Sequence, residues 1–314
     1  MNADWVAASV RARALARRRV GAGECLALAA LPTLADAIAR LDDSAYAERL
    51  AGVTSLRAAQ RATWESVLWQ LRVLAGWLPA GATQLLRAVA ARYELDNIVA
   101  LARRLGGDDS APDPFDLGAL ATAWPDLRLA SSPGELSAAL RRSPWGDPGD
   151  QPGTASVGMQ NLRDTLTVVW LRRLASAAPA ARIDAATACA LIVARIRLVD
   201  RAEPSTRVRL LARPLLGTGW EAATTLTDLQ QALPPALRSV FSGVSGSDQL
   251  WQAEAALRAQ VGADGARLVR GALPSPQVVL GAVALLATDA WRVDAALAAA
   301  SAGLGRSEVL DAVA

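Results

Sequence analysis

The stretch Tyr93-Glu94-Leu95-Asp96-Asn97-Ile98-Val99-Ala100-Leu101-Ala102-Arg103-Arg104-Leu105-Gly106 decides how the rest of the chain is read. Leu86, Ala90, Tyr93, Asn97 and Leu101 recur at steps of three and four, so they share one face of a helix expected over 83–105. Asn97 therefore sits inside an apolar stripe. Gly106-Gly107 supplies the stop, and Arg103 and Arg104 occupy the last turn, where cations complement the helix dipole. Arg92 and Asp96, four apart, are expected to pair on the helix surface for about 0.3 kcal/mol.

Outward from this stretch, leucine and alanine repeat at helical spacing, and alternating β-branched runs are nearly absent. The expected fold class is all-α. The chain has 314 residues, 52% hydrophobic and 20% charged, long enough for two or three cores. Net charge is +3, with arginine as the basic residue and lysine absent. That bias points to composition rather than to nucleic acid, and no nucleic-acid partner is expected. The cluster Arg11, Arg13, Arg17, Arg18, Arg19 has two readings: contact with phosphates or anionic lipid, or a solvated helix face with its cations near the C-terminal end before Gly21. The second is the simpler. Cys25 and Cys189 lie in apolar settings that suit small core residues of a reducing compartment. The N-terminus is amphipathic and lacks the apolar region of a signal peptide. No uncharged apolar run reaches about 18 residues, so no membrane span is expected.

One plan recurs along the chain. A leucine step ending in an aromatic residue (Ala37, Leu41, Tyr46) is expected on a helix over 24–50. An amphipathic helix over 58–77 follows, with Trp64, Trp69 and Trp77, and then the helix over 83–105. After the breaker-rich loop Gly106–Pro114, Leu136, Leu140 and Trp145 repeat the step. The loop Pro144–Pro152, a helix over 161–177 with Trp170, and a helix over 183–201 come next. Its Ile192-Val193-Ala194 reproduces Ile98-Val99-Ala100 at an offset of 94 residues. A looser third pass has Leu229, Leu233 and Phe241, the loop Ser242–Ser247, a helix with Trp251, and an apolar helix over 277–300. Three similar helical units are expected, at 1–109, 110–203 and 204–314.

Absent residues limit the chemistry. There is no histidine, which excludes His-based acid–base work, Ser-His-Asp triads and His-bearing zinc sites. Two distant cysteines cannot form a thiolate cage. Without lysine there is neither a GxxxxGK[ST] phosphate loop nor a Schiff base. Asp42-Asp43 with Glu48 offers carboxylates for Mg²⁺, but the spacing is not DDxxD, and a helix end capped at Ser44 is favoured. Asp108-Asp109 reads as a helix-flanking loop. No cofactor, metal site or catalytic residue is expected. Trp64 and Trp69 read as packing residues. Asn97 reads as a group that satisfies backbone or fixes register rather than one that touches a partner.

The opening stretch resembles a helix of the C subunit (d in eukaryotes) of V-type and archaeal A-type rotary ATPases. There an aromatic residue, a carboxylate and Asn-Ile open a run ending in basic residues and glycine. Tyr93, Asp96, Asn97, Ile98, Arg103, Arg104 and Gly106 match. Trp5–Arg19 resembles the family's opening helix, and Leu41–Tyr46 its short leucine-to-tyrosine step. The second unit departs from the pattern, with Ala190 and Leu191 where the first has Asp96 and Asn97. The third has Trp291-Arg292-Val293-Asp294. The resemblance implies a funnel of three helical units about a pseudo-threefold axis. It implies a non-catalytic subunit on the cytoplasmic face of the plasma membrane, peripheral to it. Its partners would be the central stalk subunits D and F and the membrane proteolipid ring, and its work ATP-coupled proton or sodium transport. Within that reading the alanine-rich last helix is the candidate lining of the stalk socket, at Ala295, Ala296 and Ala299; tight packing within its own bundle is the equal alternative. The competing classes are a stand-alone helical-repeat adaptor for a partner helix and, last, an all-helical Mg²⁺-dependent enzyme.

Overall fold

The computed structural model describes residues 3–79, 81–149 and 156–313. The fold is all-α, with no strand among the described residues. The chain opens with α1 (Val6–Arg17), α2 (Ala22–Ala29), α3 (Leu34–Arg40), α4 (Ala47–Leu50) and α5 (Leu56–Ala75). Then come α6 (Thr83–Leu105), α7 (Trp124–Leu127), α8 (Pro133–Arg141), α9 (Ser156–Ala177) and α10 (Arg182–Ala194). It closes with α11 (Thr206–Leu216), α12 (Leu226–Ala232), α13 (Leu250–Val269), α14 (Pro276–Ser301) and α15 (Glu308–Asp311).

Local chemistry sets the bounds. α3, α5, α8 and α12 each begin at a Ser or Thr (Thr33, Ser55, Ser132, Thr225) whose side-chain oxygen accepts a backbone N–H three residues on. α6 ends where Gly107 turns to φ +90° and the Asp108 N–H reaches back to the Arg103 carbonyl at 3.0 Å. The helix expected over 24–50 is instead three pieces. Pro32, with no N–H and a ring that disfavours helix at Leu31, stops the first, and the chain turns again after Arg40. The helix expected over 183–201 changes hydrogen bonding at Arg195–Val199, which forms a π-helical turn. The loop expected at Pro144–Pro152 is described as far as Gly149; Asp150, Gln151 and Pro152 lie outside the described residues.

The chain divides into two compact units, Met1–Thr83 with Glu254–Ala314, and Gln84–Ala253. These divisions fall after residue 83 and inside α13, not at the motif boundaries 109/110 and 203/204.

In the first unit α14 is the central rod, packed by α1, α2, α3, α5 and α15. Ala282, Ala290, Ala296 and Ala300 are fully buried along it. Small side chains let several helices crowd one axis without a void. α13 also approaches it closely, at a pair of glycines. A Cβ added at Gly281 would lie 2.6 Å from the Gly265 carbonyl oxygen, so neither helix tolerates a side chain there. α1 is tied to the same region, because Arg13 donates to the carbonyls of Val269 (3.1 Å) and Gly271.

In the second unit α9, α10 and α11 pack together, with Leu166, Cys189 and Val193 fully enclosed. α9 also meets α6: the Trp170 indole N–H donates to the Ala88 carbonyl at 3.0 Å.

Candidate functional site

The buried face of α6 presents two polar side chains, Glu94 and Asn97, one turn apart and each about 1% exposed. Both reach across to the chain that follows the helix. The Asn97 amide donates to the Phe115 carbonyl at 2.9 Å, and its oxygen accepts the Phe115 N–H at 2.6 Å. One side chain thus replaces a pair of backbone partners for a residue with no helix or sheet of its own. Tyr93 meets the Phe115 ring edge-to-face, with centroids 5.2 Å apart, and closes the same anchor.

Glu94 holds the next segment. Its Oε1 accepts the backbone N–H groups of Thr122 (2.9 Å), Ala123 (2.7 Å) and Trp124 (2.7 Å). These amides lead into α7, so the carboxylate caps that helix from outside, as an anion at a helix N-terminus should. Its Oε2 accepts the Thr122 hydroxyl and the Trp145 indole N–H, the latter at 3.1 Å. Arg173 stacks over the Trp145 ring at 5.0 Å and donates to the Thr122 hydroxyl oxygen at 3.3 Å. Burial pushes the Arg173 pKa down, and the Glu94 charge opposes that shift. With five donors on its two oxygens, Glu94 organises protein rather than a ligand.

The remaining residues of the motif serve the same body. Ile98 is fully buried. Asp96 faces the other way and takes two arginines, Arg92 at 2.7 Å on its own helix and Arg163 at 3.0 Å from α9. The Arg92–Asp96 surface pair expected from sequence is present and extended. Arg103 pairs with Asp108 just beyond the helix end, and Arg104 donates to the Pro112 carbonyl at 3.2 Å. Asp108 also takes the Ser110 hydroxyl and N–H, and these contacts, with Arg103, hold its pKa below the usual carboxylate range.

The first unit has a counterpart. Asp289 of α14, about 1% exposed, accepts the N–H groups of Val20 (3.1 Å) and Gly21 (2.8 Å) and the hydroxyl of Tyr46 (2.9 Å). So a carboxylate on a long helix again holds a loop and the polar tip of an aromatic residue that ends a leucine step. The helix of the second pass has Ala188 where the offset of Ile192-Val193-Ala194 aligns Glu94, and the leucine step of the third pass ends in buried Phe241 where the second ends in Trp145. Acceptor and donor are lost together.

Sequence reasoning did not single out Glu94 or Asp289. A signal was present: Glu94 lies four residues from both Ala90 and Ile98, on the apolar face, and Asp289 lies between Leu286 and Val293. A carboxylate in such a row needs donors from elsewhere. Asp294, one turn beyond, accepts the Trp64 indole N–H at 2.6 Å, while its other oxygen is buried without a hydrogen-bond partner. Burial pushes the Asp294 pKa up to about 7 against that bond.

The other candidates fall as follows. Ala296 and Ala299 are buried within the first unit, and Ala295 alone of the three proposed socket residues retains surface. Trp64 is half-buried on Asp294, but Trp69, expected as a packing residue, is 46% exposed because α5 turns that position outward. Cys25 and Cys189 are buried free thiols. Burial pushes both up to about 12, and Asp289 adds to the shift at Cys25. Asp42, Asp43 and Glu48 are exposed, and no group of three or more His, Cys, Asp or Glu side chains that could hold a metal ion occurs among the described residues. Compared with models of protein families and with curated proteins, the chain matches none.

Proposed function

We propose that the chain is a non-catalytic coupling subunit of a V- or A-type rotary ATPase. In this reading it sits on the membrane proteolipid ring, receives the central stalk of subunits D and F, and passes rotation between them to drive proton or sodium transport. The observation that carries the reading is the recurring anchor: Glu94 with Trp145, and Asp289 with Tyr46. It ties the motif of the resembled family to a repeated plan. In this reading the three similar units, 1–109, 110–203 and 204–314, form a ring, and the Asp289–Tyr46 bond supports it as a contact between the last long helix and the first leucine step.

The role asks for stiffness rather than reactivity. Buried carboxylates filled by backbone donors resist deformation, because each displaced N–H loses a charge-assisted bond. No described helix is long and apolar enough to cross a membrane, so in this reading the chain is held peripherally, on the cytoplasmic side, by its partners. Of Ala295, Ala296 and Ala299, Ala295 is the one with surface left to line a socket.

The test is affinity purification of the tagged chain from detergent-solubilised membranes of the cells that make it, with mass spectrometry of what accompanies it. Catalytic, stalk and proteolipid subunits are expected. Recovery without any of them, from cells that assemble such an ATPase, rejects the reading.

A further inference from the structure

α1 carries an outward strip that its own unit leaves uncovered. Val6 and Val10 are 46% and 61% exposed, and exposed Ala14 and Arg17 continue the strip at helical steps. Exposed Arg18 and Arg19 follow directly. The turn after α13 is fastened beside this helix at two points. Arg13 holds the carbonyls on either side of Arg270, and the Ser9 hydroxyl oxygen accepts the Ser275 N–H at 3.1 Å. Exposed Arg270 and Leu273, the latter 67% exposed, are thereby presented next to α1.

The charges on this surface are uncompensated. Among the described residues, Arg17, Arg18, Arg19 and Arg270 make no ion pair. Of the acidic residues nearest to Arg17–Arg19 in sequence, Asp4 precedes the far end of α1, and Glu24 is already paired with Arg40. Four guanidinium groups therefore adjoin three exposed aliphatic side chains.

We propose that this surface docks the protein on an anionic phospholipid membrane. The arginines meet lipid phosphates, while Val6, Val10 and Leu273 enter between headgroups as α1 lies flat, a strip about 18 Å long. A nucleic acid would use the arginines but leave the aliphatic side chains in water. The inference does not depend on the coupling role. Binding of this kind is weak and reversible, with each arginine worth about fivefold near the surface.

The experiment is sedimentation of the purified chain with phosphatidylcholine vesicles, with and without phosphatidylglycerol. Binding is expected only when phosphatidylglycerol is present, and it should weaken with added salt. The R17Q/R18Q/R19Q variant should partition about a hundredfold less. The V10S/L273S variant should bind several-fold less with an unchanged salt dependence. Both should keep the parent circular dichroism spectrum, since all five side chains are exposed. Equal binding to both vesicle types, or unchanged partitioning of the triple variant, overturns the proposal. So does arginine-dependent binding of polyglutamate without binding to phosphatidylglycerol vesicles, which would assign the surface to an acidic protein.

Discussion

The Tyr46 hydroxyl donates to Asp289 Oδ2 at 2.9 Å, joining residues 243 positions apart. The two side chains are each about 1% exposed, and the same carboxylate holds the Val20 and Gly21 amides at the turn between α1 and α2. The bond is therefore one corner of a buried charge-assisted network rather than an isolated contact. Asp289→Ala should cost about 4 kcal/mol, because three donors lose their acceptor at once, and Tyr46→Phe about 1.5–2 kcal/mol. Urea denaturation of both variants and of the double variant checks this. Additive losses would mean that the two side chains do not act together.

Asn97→Leu should destabilise by about 2 kcal/mol, since it strands both the N–H and the carbonyl of Phe115. A buried Asn whose only task was register would lose far less. Asn97→Asp retains the acceptor but sets a charge against the Phe115 carbonyl, and should cost at least as much. Thermal melts of the two variants decide; a negligible shift for Asn97→Leu contradicts the anchor.

Asp294 makes stability depend on pH. Its folded pKa, about 7, stands above the ordinary value of 3.8, so between these values the folded chain holds a proton that the unfolded chain has released. The contribution is fully present below pH 3.8 and declines as pH rises through about 7, by roughly 2–4 kcal/mol in total. The Trp64 indole N–H is its hydrogen-bond donor, and Arg292, two residues earlier on the helix, lies on a different face. Asp294→Asn should remove this slope and be the more stable form at pH 8. Denaturation midpoints of both proteins between pH 4 and pH 8 test it; parallel curves would exclude Asp294 as the source.

Two glycines in helices should respond oppositely to alanine. At Gly281 a Cβ would meet the Gly265 carbonyl oxygen at 2.6 Å and the Val269 nitrogen at 2.9 Å, so Gly281→Ala should cost about 2 kcal/mol or more. At Gly23 nothing lies within 4 Å, and Gly23→Ala should stabilise by about 0.5 kcal/mol through helix propensity alone. Melting temperatures moving in the same direction would mean that backbone preference, not helix contact, governs both sites.

The helical class, and the span of α6 to the residue, were legible because an apolar stripe at 3.6-residue spacing is written locally. So was the Arg92–Asp96 pair. The partner of Asn97 was not, since Phe115 lies in a loop with no periodicity. Nor was the assignment of Tyr46 to α14, because a hydrogen bond across 243 residues leaves no mark in either segment. The compact units failed to follow the motif order for the same reason: adjacency in chain order does not say which leucine step a long helix will hold. Ala296 looked available for a partner because alanine fits both a socket and a core, and only the enclosing helices distinguish the two.

The dependence of the first helices on α14 also sets a timetable. The amide of Val20 finds its acceptor 269 residues downstream, so α1 to α5 leave the ribosome without the rod around which they pack. At about 5–20 residues per second, that wait lasts tens of seconds. Gln84–Ala253 holds its own packing and can form during the interval. An order of middle first, ends last follows from these contacts as an expectation, with the leucine step of Ala37, Leu41 and Tyr46 uncovered until α14 emerges.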